Sequence, residues 1–428
     1  MPTNFRGKIL MQRASLLSAC VIGIIVLPLL GAMRGFAQQQ TPASPVGSRL
    51  TLQEALAKAD RQNLDLAATR LQHLVSQAGI IIAGQRPNPS ISFSATRDTP
   101  HESVFVDQPL ELGGKRPTRI DQARQEVALT DIEISTMQRQ VRHQVRDAFF
   151  SAALSKEVAE QQGQLADLAR KLRDVAKDRF NAGDVPELEV MQADLELARA
   201  EADQEVARQE MKVAFSKLAA LLNDPPNTSW DLATPLESMP PQVALPDLVA
   251  RAADANPDLQ HLSQEARVEQ SKEKMYKAER FPDVAVEAGA DFNSPGDFRV
   301  GARGQLTVGL PIFSRYQGEL AQSSATQRLI EAELTAKRRS VSGAVEAAYN
   351  EVNARLTEVN LYQKTVIPAG RKLESLTEES YRAGKANILA VIDAQRTVHQ
   401  NERDYLQSLL ELQQAFSELE ETVGVVLD

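Results

Sequence analysis

The segment Val106-Asp-Gln-Pro-Leu-Glu-Leu-Gly-Gly-Lys-Arg116 sets a glycine pair and a lysine between an apolar run and a helical pattern, the ingredients of a phosphate loop. A phosphate loop needs four residues between its first glycine and Gly-Lys, then Ser or Thr. Here Arg116 follows Lys115, and Pro109 stands where the earlier glycine belongs. The second half of the chain carries Phe313-Ser314-Arg315 at the matching place, so nucleotide binding is excluded. The five histidines (His73, His101, His143, His261 and His399) are scattered without metal-ligand spacing. No Ser-His-Asp order stands out, and the one cysteine, Cys20, cannot build a Cys–His zinc set. The residues therefore predict no enzyme, no cofactor and no metal site. A net charge of −9 without a basic stripe also excludes nucleic acid as a partner.

The start of the chain reads as an export signal. Arg6, Lys8 and Arg13 precede an apolar run from about Ala14 to Leu30, and Gly35-Phe36-Ala37 offers small residues for cleavage before Gln38. Leu17-Ser18-Ala19-Cys20 also matches a lipidation box, but most of the apolar run follows Cys20 and would stay on the mature chain. Cleavage after residue 37 removes four basic residues and no acid, which deepens the charge from −9 to −13.

Beyond this leader the pattern occurs twice. Ala57-Lys58-Ala59 leading to Asn63-Leu64-Asp65-Leu66 recurs as Ala250-Arg251-Ala252 leading to Asn256-Pro257-Asp258-Leu259. Phe180-Asn-Ala-Gly183 recurs as Tyr381-Arg-Ala-Gly384, and the offset drifts only from 193 to 201 along the chain. Six of the 21 prolines crowd into residues 223–246, marking a connector. The expected organisation is a signal peptide at 1–37, a first repeat at 38–222, the connector at 223–246 and a second repeat at 247–428. Each repeat reads as short helices, two strands, a very long helix, a tight turn and a further helix. The long helices are predicted at about 116–181 and 316–383; the first, with no proline after Pro117, would be roughly 100 Å long at 1.5 Å per residue. Leu165, Leu168, Leu172 and Val175 step by coiled-coil spacing, as do Leu409, Leu412, Phe416, Leu419 and Val423.

The strands, about 89–112 and 283–311, alternate. Ile91 and Phe93 alternate with serines, and Val284, Val286, Ala288, Ala290 and Phe292 alternate with Ala285, Glu287, Gly289 and Asp291. Val300, Ala302, Leu306, Val308 and Leu310 share one face, and Arg299, Arg303, Gln305 and Thr307 share the other. Such strands have the length of tilted membrane-spanning strands. Four cannot close a barrel, and an open edge in lipid costs several kcal/mol per unpaired backbone group. Two chains would give eight strands and three would give twelve; twelve leaves room for an aqueous lumen, which favours a trimer. Glu287, Asp291, Arg299 and Arg303 would then line the lumen, and Gly113, Gly114, Lys115 and Arg116 would form the strand-to-helix joint, with Lys115 and Arg116 facing the membrane surface or periplasm.

The twofold repeat of helices and strand pairs resembles the TolC-like outer-membrane efflux family over nearly the whole mature chain. Leu110-Glu-Leu-Gly-Gly-Lys-Arg116 is similar to its heavy-metal, CzcC-type branch. The resemblance implies a mainly α fold with a small β part: a homotrimer whose twelve-stranded outer-membrane barrel continues into a periplasmic α-helical tunnel. It implies a periplasmic adaptor (membrane fusion protein) and an inner-membrane resistance-nodulation-division pump as partners, with lipid around the barrel. It also implies that the turns at Gly183-Asp184 and Gly384-Lys385 are the adaptor-docking tips, and that Glu189 and Asp393 are acids of the periplasmic gate, with Ala390 standing where a further gate acid is expected. Two other readings stay open: the same duct carrying drugs or secreted peptides, and a periplasmic coiled-coil adaptor.

Overall fold

A computed structural model describes residues 48–98, 100–292 and 300–427. The expected leader, Cys20 and Arg299 lie outside the described residues. After a short strand β1 (Ser48–Leu50), each half opens with a pair of helices whose junction is an asparagine. Thr51 and Glu54 form a capping box on α1 (Leu52–Gln62), and Asn63 then caps α2 (Leu64–Ala83) by accepting from the Leu66 amide. In the second half, Asn256 separates α5 (Leu245–Ala255) from α6 (Pro257–Glu279) and caps α6 in the same way.

The repeated asparagines do more than cap. Asn63 Nδ2 donates to Leu221 O at 3.0 Å, and Asn256 Nδ2 donates to Thr422 O at 2.8 Å. Each joins the start of one helix to the end of another, α4 (Glu187–Leu221) in the first case and α9 (Ile388–Val423) in the second. A helix end leaves carbonyls unpaired, and a buried amide side chain satisfies one while its oxygen serves the next helix. This is how two shorter helices are laid end to end beside one long one.

The long helix of the first half, α3 (Lys115–Asn181), is continuous for 67 residues. The second half departs from the expected single helix at about 316–383. It runs as α7 (Gln317–Leu361), a π turn at Tyr362–Val366, and α8 (Ile367–Arg382). Pro368 supplies the reason: it has no N–H to give to Lys364 O, and its ring crowds that carbonyl. A widened turn absorbs the misfit without ending the helical run.

The two coiled-coil stripes read from the sequence fare differently. Leu409, Leu412, Phe416, Leu419 and Val423 of α9 are all buried. On α3, however, the buried positions are Ala159, Ala166, Ala169 and Ala176, while Leu165, Leu168 and Leu172 are half-buried and Val175 is exposed. Alanines let α4 approach closely through Ala193 and Ala207, and the larger residues are turned to the flank.

Four strands form one antiparallel sheet in the order β2 (Ser90–Ala95), β3 (Glu102–Leu110), β5 (Asp283–Phe292), β6 (Val300–Gly309). The central pairing of β3 with β5 joins the two halves. Register sets Phe105 opposite Gly289 and Gly289 opposite Arg303, so Glu287, Asp291, Arg303, Gln305 and Thr307 share a face with Ser92, Ser103 and Asp107. The opposite face carries Ile91, Phe93, Val104, Val106, Val286, Val300, Leu306 and Val308, all exposed. A separate short strand β4 (Trp230–Leu232), in the proline-rich connector, pairs in parallel with β1. Among the described residues no helix is long and apolar enough to cross a membrane.

Candidate functional site

Three places carry the residues singled out by the sequence: the sheet's polar face, the joint from β3 to α3, and the helical tips. On the polar face, Ser103 Oγ donates to Asp291 Oδ1 at 2.7 Å and Arg303 lies 3.6 Å from Asp291. The same guanidinium sits 4.5 Å from the centre of the Phe105 ring. Gly289 makes this possible, because a Cβ there would lie 2.4 Å from Phe105 and 2.1 Å from the Val104 carbonyl. Glu287 stands opposite Asp107. Apart from Asp283 at its end, which pairs with Lys115, the wall therefore presents three acids (Asp107, Glu287, Asp291) against one base, Arg303, among the described residues. Ser103, Phe105 and Asp107 were not singled out from sequence, since their strand mixes apolar and polar residues on both faces. The Gly289–Phe105 pairing appears only in the register.

At the joint, Gly113 (φ +70°) and Gly114 (φ +79°) both take the left-handed conformation that disfavours side chains. A Cβ on Gly113 would lie 2.3 Å from the Phe281 ring. The expectation that Lys115 faces the membrane surface or periplasm is corrected here. Lys115 is only 4% exposed; its Nζ lies 2.5 Å from Asp283 Oδ1 and 3.2 Å from Glu279 Oε2. Arg116 is half-buried and gives its Nε to Gly84 O at 2.6 Å, satisfying the end of α2. Burial acts to lower the Lys115 pKa, but hydrogen bonds to the two carboxylates outweigh it and the net direction is upward, so the ammonium stays charged. The strand ends Asp283 and Gly309 thus reach a joint held together by charge.

The two tips are built alike. Gly183 (φ +81°) and Gly384 (φ +71°) turn the chain, and the next amides, Asp184 and Lys385, return to Arg179 O at 2.9 Å and Ser380 O at 2.8 Å. The Asp184 and Lys385 side chains are exposed. Ala176, Ala193, Tyr381, Ile388, Val391 and Ile392 pack the tips against each other, with the Arg179 guanidinium 5.1 Å from the centre of the Tyr381 ring. Glu189 reaches across, its Oε1 3.4 Å from the Ile388 amide at the first turn of α9, where the helix dipole favours a carboxylate. Asp393 lies one turn further on and is exposed, and its carboxylate makes no hydrogen bond or ion pair among the described residues. Glu189 and Asp393 are therefore not partners: one ties the tips together, the other is free to face whatever lies before it. Beyond them Arg396 grips Glu196 through two nitrogens, locking α9 to α4.

One further group has the composition of a cation site. His143, Glu418 and Glu421 offer ligand atoms within 4.8 Å of one another.

The comparisons agree with this architecture. The model of the outer membrane efflux protein family matches residues 55–224 and again 248–425. The cobalt-zinc-cadmium resistance protein CzcC of Cupriavidus metallidurans is 26% identical over 378 residues, covering 88% of this chain and 90% of that protein. Among solved structures, a membrane protein from Pseudomonas aeruginosa superimposes with a TM-score of 0.72 at 18% identity, covering 87% of this chain and 92% of the other. The outer membrane protein VceC of Vibrio cholerae gives 0.70 at 15% identity, covering 88% and 97%. The fold is that of the TolC-like channels: long helices, a small sheet and an internal duplication. This chain belongs to the outer membrane efflux protein family and is an outer-membrane efflux channel.

Proposed function

We propose that three copies of this chain close a twelve-stranded barrel above a helical tunnel and act as the exit duct of a tripartite system for divalent heavy-metal cations. The observation that carries the reading is the four-stranded sheet. Its outer strands β2 and β6 each have one unpaired edge, and its apolar face is exposed. In lipid such edges must be paired. Pairing β2 of one copy with β6 of the next closes the ring. An exposed apolar stripe on α2 (Leu71, Leu74, Val75, Ile81, Ile82) supports burial against a neighbouring copy below the barrel.

Cations are favoured as cargo for two reasons. A relative matched over 88% of this chain is named for cobalt, zinc and cadmium resistance. The polar wall also carries an excess of carboxylates, which attracts cations and repels anions. Pump and adaptor select the cargo; the adaptor docks at the tips around Gly183, Asp184, Gly384 and Lys385. Asp393 and its two symmetry mates form the narrow acidic ring of the periplasmic gate, while Glu189 holds the tips closed.

Three measurements test this. Cell-associated zinc, cobalt and cadmium should rise in a deletion strain and fall when the gene is restored; unchanged metal with new drug sensitivity would remove the cargo reading. The detergent-extracted complex should have the mass of three chains, and a mass of two would overturn the ring. Asp393→Asn should lower cation selectivity in planar bilayers, and unchanged selectivity would take Asp393 out of the gate.

A further inference from the structure

We infer that His143, Glu418 and Glu421 form a binding site for a divalent transition-metal ion of the zinc type, clamped between α3 of the first half and α9 of the second. The inference does not depend on what the duct carries.

Glu418 and Glu421 are one turn apart on α9 and share a face, and His143 meets them from α3. His143 Nε2 lies 3.4 Å from Asp147 Oδ2 and 3.4 Å from Glu421 Oε2. Those separations are long for direct charge-assisted hydrogen bonds, which run at about 2.7–2.9 Å. The Glu421 separation matches the edge of a tetrahedron of nitrogen and oxygen ligands about 2.0–2.1 Å from zinc, which is roughly 3.3–3.4 Å, while Asp147 stands beside the imidazole without joining that group. An oxygen of Glu418 completes the group within 4.8 Å of its His143 and Glu421 partners.

The other ring nitrogen is already fixed. His143 Nδ1 lies 2.7 Å from Ser417 Oγ, which can hold the neutral tautomer with its Nε2 lone pair directed at the carboxylates. Of the arginines lining the neighbouring cleft, Arg142 pairs with Asp60 at 3.2 Å and Arg146 with Glu420 at 2.8 Å, while Arg139 reaches Ser135 and Thr136, each 3.4 Å away. Asp147, Glu418 and Glu421 have no lysine or arginine ion-pair partner among the described residues. Two carboxylates and one imidazole on two packed helices thus carry net negative charge. An open cleft of about 440 Å³ borders His143 and Glu421, so an ion has a way in. Imidazole among the donors selects zinc or cobalt over magnesium and calcium, which prefer oxygen alone. Because α3 and α9 come from different halves, the ion would staple the two repeats together, a few residues from the Asn256–Thr422 link.

The test uses the purified full chain in detergent, stripped with chelator and titrated with zinc chloride by calorimetry, with cobalt chloride read by its visible absorption. The expected result is one zinc per chain, unaffected by millimolar magnesium, and the intense visible bands of low-coordinate cobalt. His143→Ala and Glu421→Gln should each abolish binding, and Ser417→Ala should weaken it by about tenfold or more. If His143→Ala fails to assemble, Glu421→Gln decides alone, since Glu421 is half-exposed and its replacement keeps shape and size. No zinc bound by the wild-type chain, or zinc bound equally by correctly assembled Glu421→Gln, would overturn the inference. Loss of binding in these variants with metal export intact in cells would leave the staple standing and separate it from the cargo.

Discussion

The two strand-to-helix joints occupy equivalent places in the duplication, yet they are made of opposite materials. In the first, Gly113 and Gly114 bend the chain, Phe281 lies where a Cβ would be, and Lys115 is sealed between two carboxylates. In the second, Tyr316 takes the left-handed conformation (φ +55°) at the start of α7, stacked 6.3 Å from Tyr276. Phe313 there is 93% exposed, and the Arg315 guanidinium reaches back to Ile312 O at 3.2 Å rather than to an acid. A duplicated frame needs the same change of direction twice, but not the same chemistry. One copy has become an internal pivot fixed by packing and charge. The other leaves an aromatic side chain open at the level where the strands end, a position suited to the membrane interface.

The sharpest way to break this contrast is at Gly113. Gly113→Val combines a strained positive φ with a side chain placed inside the Phe281 ring, and should destabilise by about 3 kcal/mol or more. Ser314→Val in the exposed second joint should stay within about 0.5 kcal/mol. Yield of assembled, heat-resistant channel measures both, and equal losses would show that the joints are equivalent after all. The next largest effect is expected at Lys115. Lys115→Met removes the buried ammonium and leaves Asp283 and Glu279 facing each other. Because Asp283 is 85% exposed, water recovers part of the loss and the cost should be about 1–2 kcal/mol rather than the full price of a broken buried pair. Arg315→Met should be nearly silent by the same thermal measurement.

Much of this frame was legible in the chain because duplication and alternation are written locally. The strand faces follow from period-two patterning, and the tip turns from Gly183 and Gly384. The α9 seam followed from spacing because large residues occupy it. The α3 seam did not: alanines fill the buried positions there, and hydropathy gives more weight to the flanking leucines. Lys115 was misplaced for a related reason, since a lone lysine reads as solvated unless its partners are known, and Glu279 and Asp283 stand more than 160 residues away. The same distance hid the cation site. His143 and Glu421 come from opposite halves, so no spacing rule could join them. Pro368, by contrast, was in plain view, and a proline inside a helical run forecasts a local fault.

That fault yields a smaller test of how far the halves differ. Pro368→Ala restores an N–H that can reach Lys364 O, removing the cause of the π turn. Stabilisation of about 1 kcal/mol should follow, with amide exchange around Tyr362–Val366 slowing about fivefold. Unchanged exchange would mean that packing against α9, not the proline, sets the turn.

The smallest expected effect lies just beyond that turn, where Glu374 of α8 stands at the place taken by Arg173 in α3, an offset of 201. Arg173 has Asp174 beside it at 3.3 Å, whereas Glu374 is half-buried near other acids. Burial raises its pKa above 4.5, His399 opposes, and Glu378 and Glu402 add to the rise. An acid with a raised pKa binds its proton more tightly in the folded chain than in the unfolded one. Its contribution is thus fully present below pH 4.5 and is lost as pH climbs through the folded value. Glu374→Gln should therefore raise the melting temperature at neutral pH, by about one degree given solvent screening, and the gap between variant and wild type should close on acidification toward pH 4. A gap that widens in acid would mean that Glu374 is held as a carboxylate, making the two halves electrostatically alike at this point.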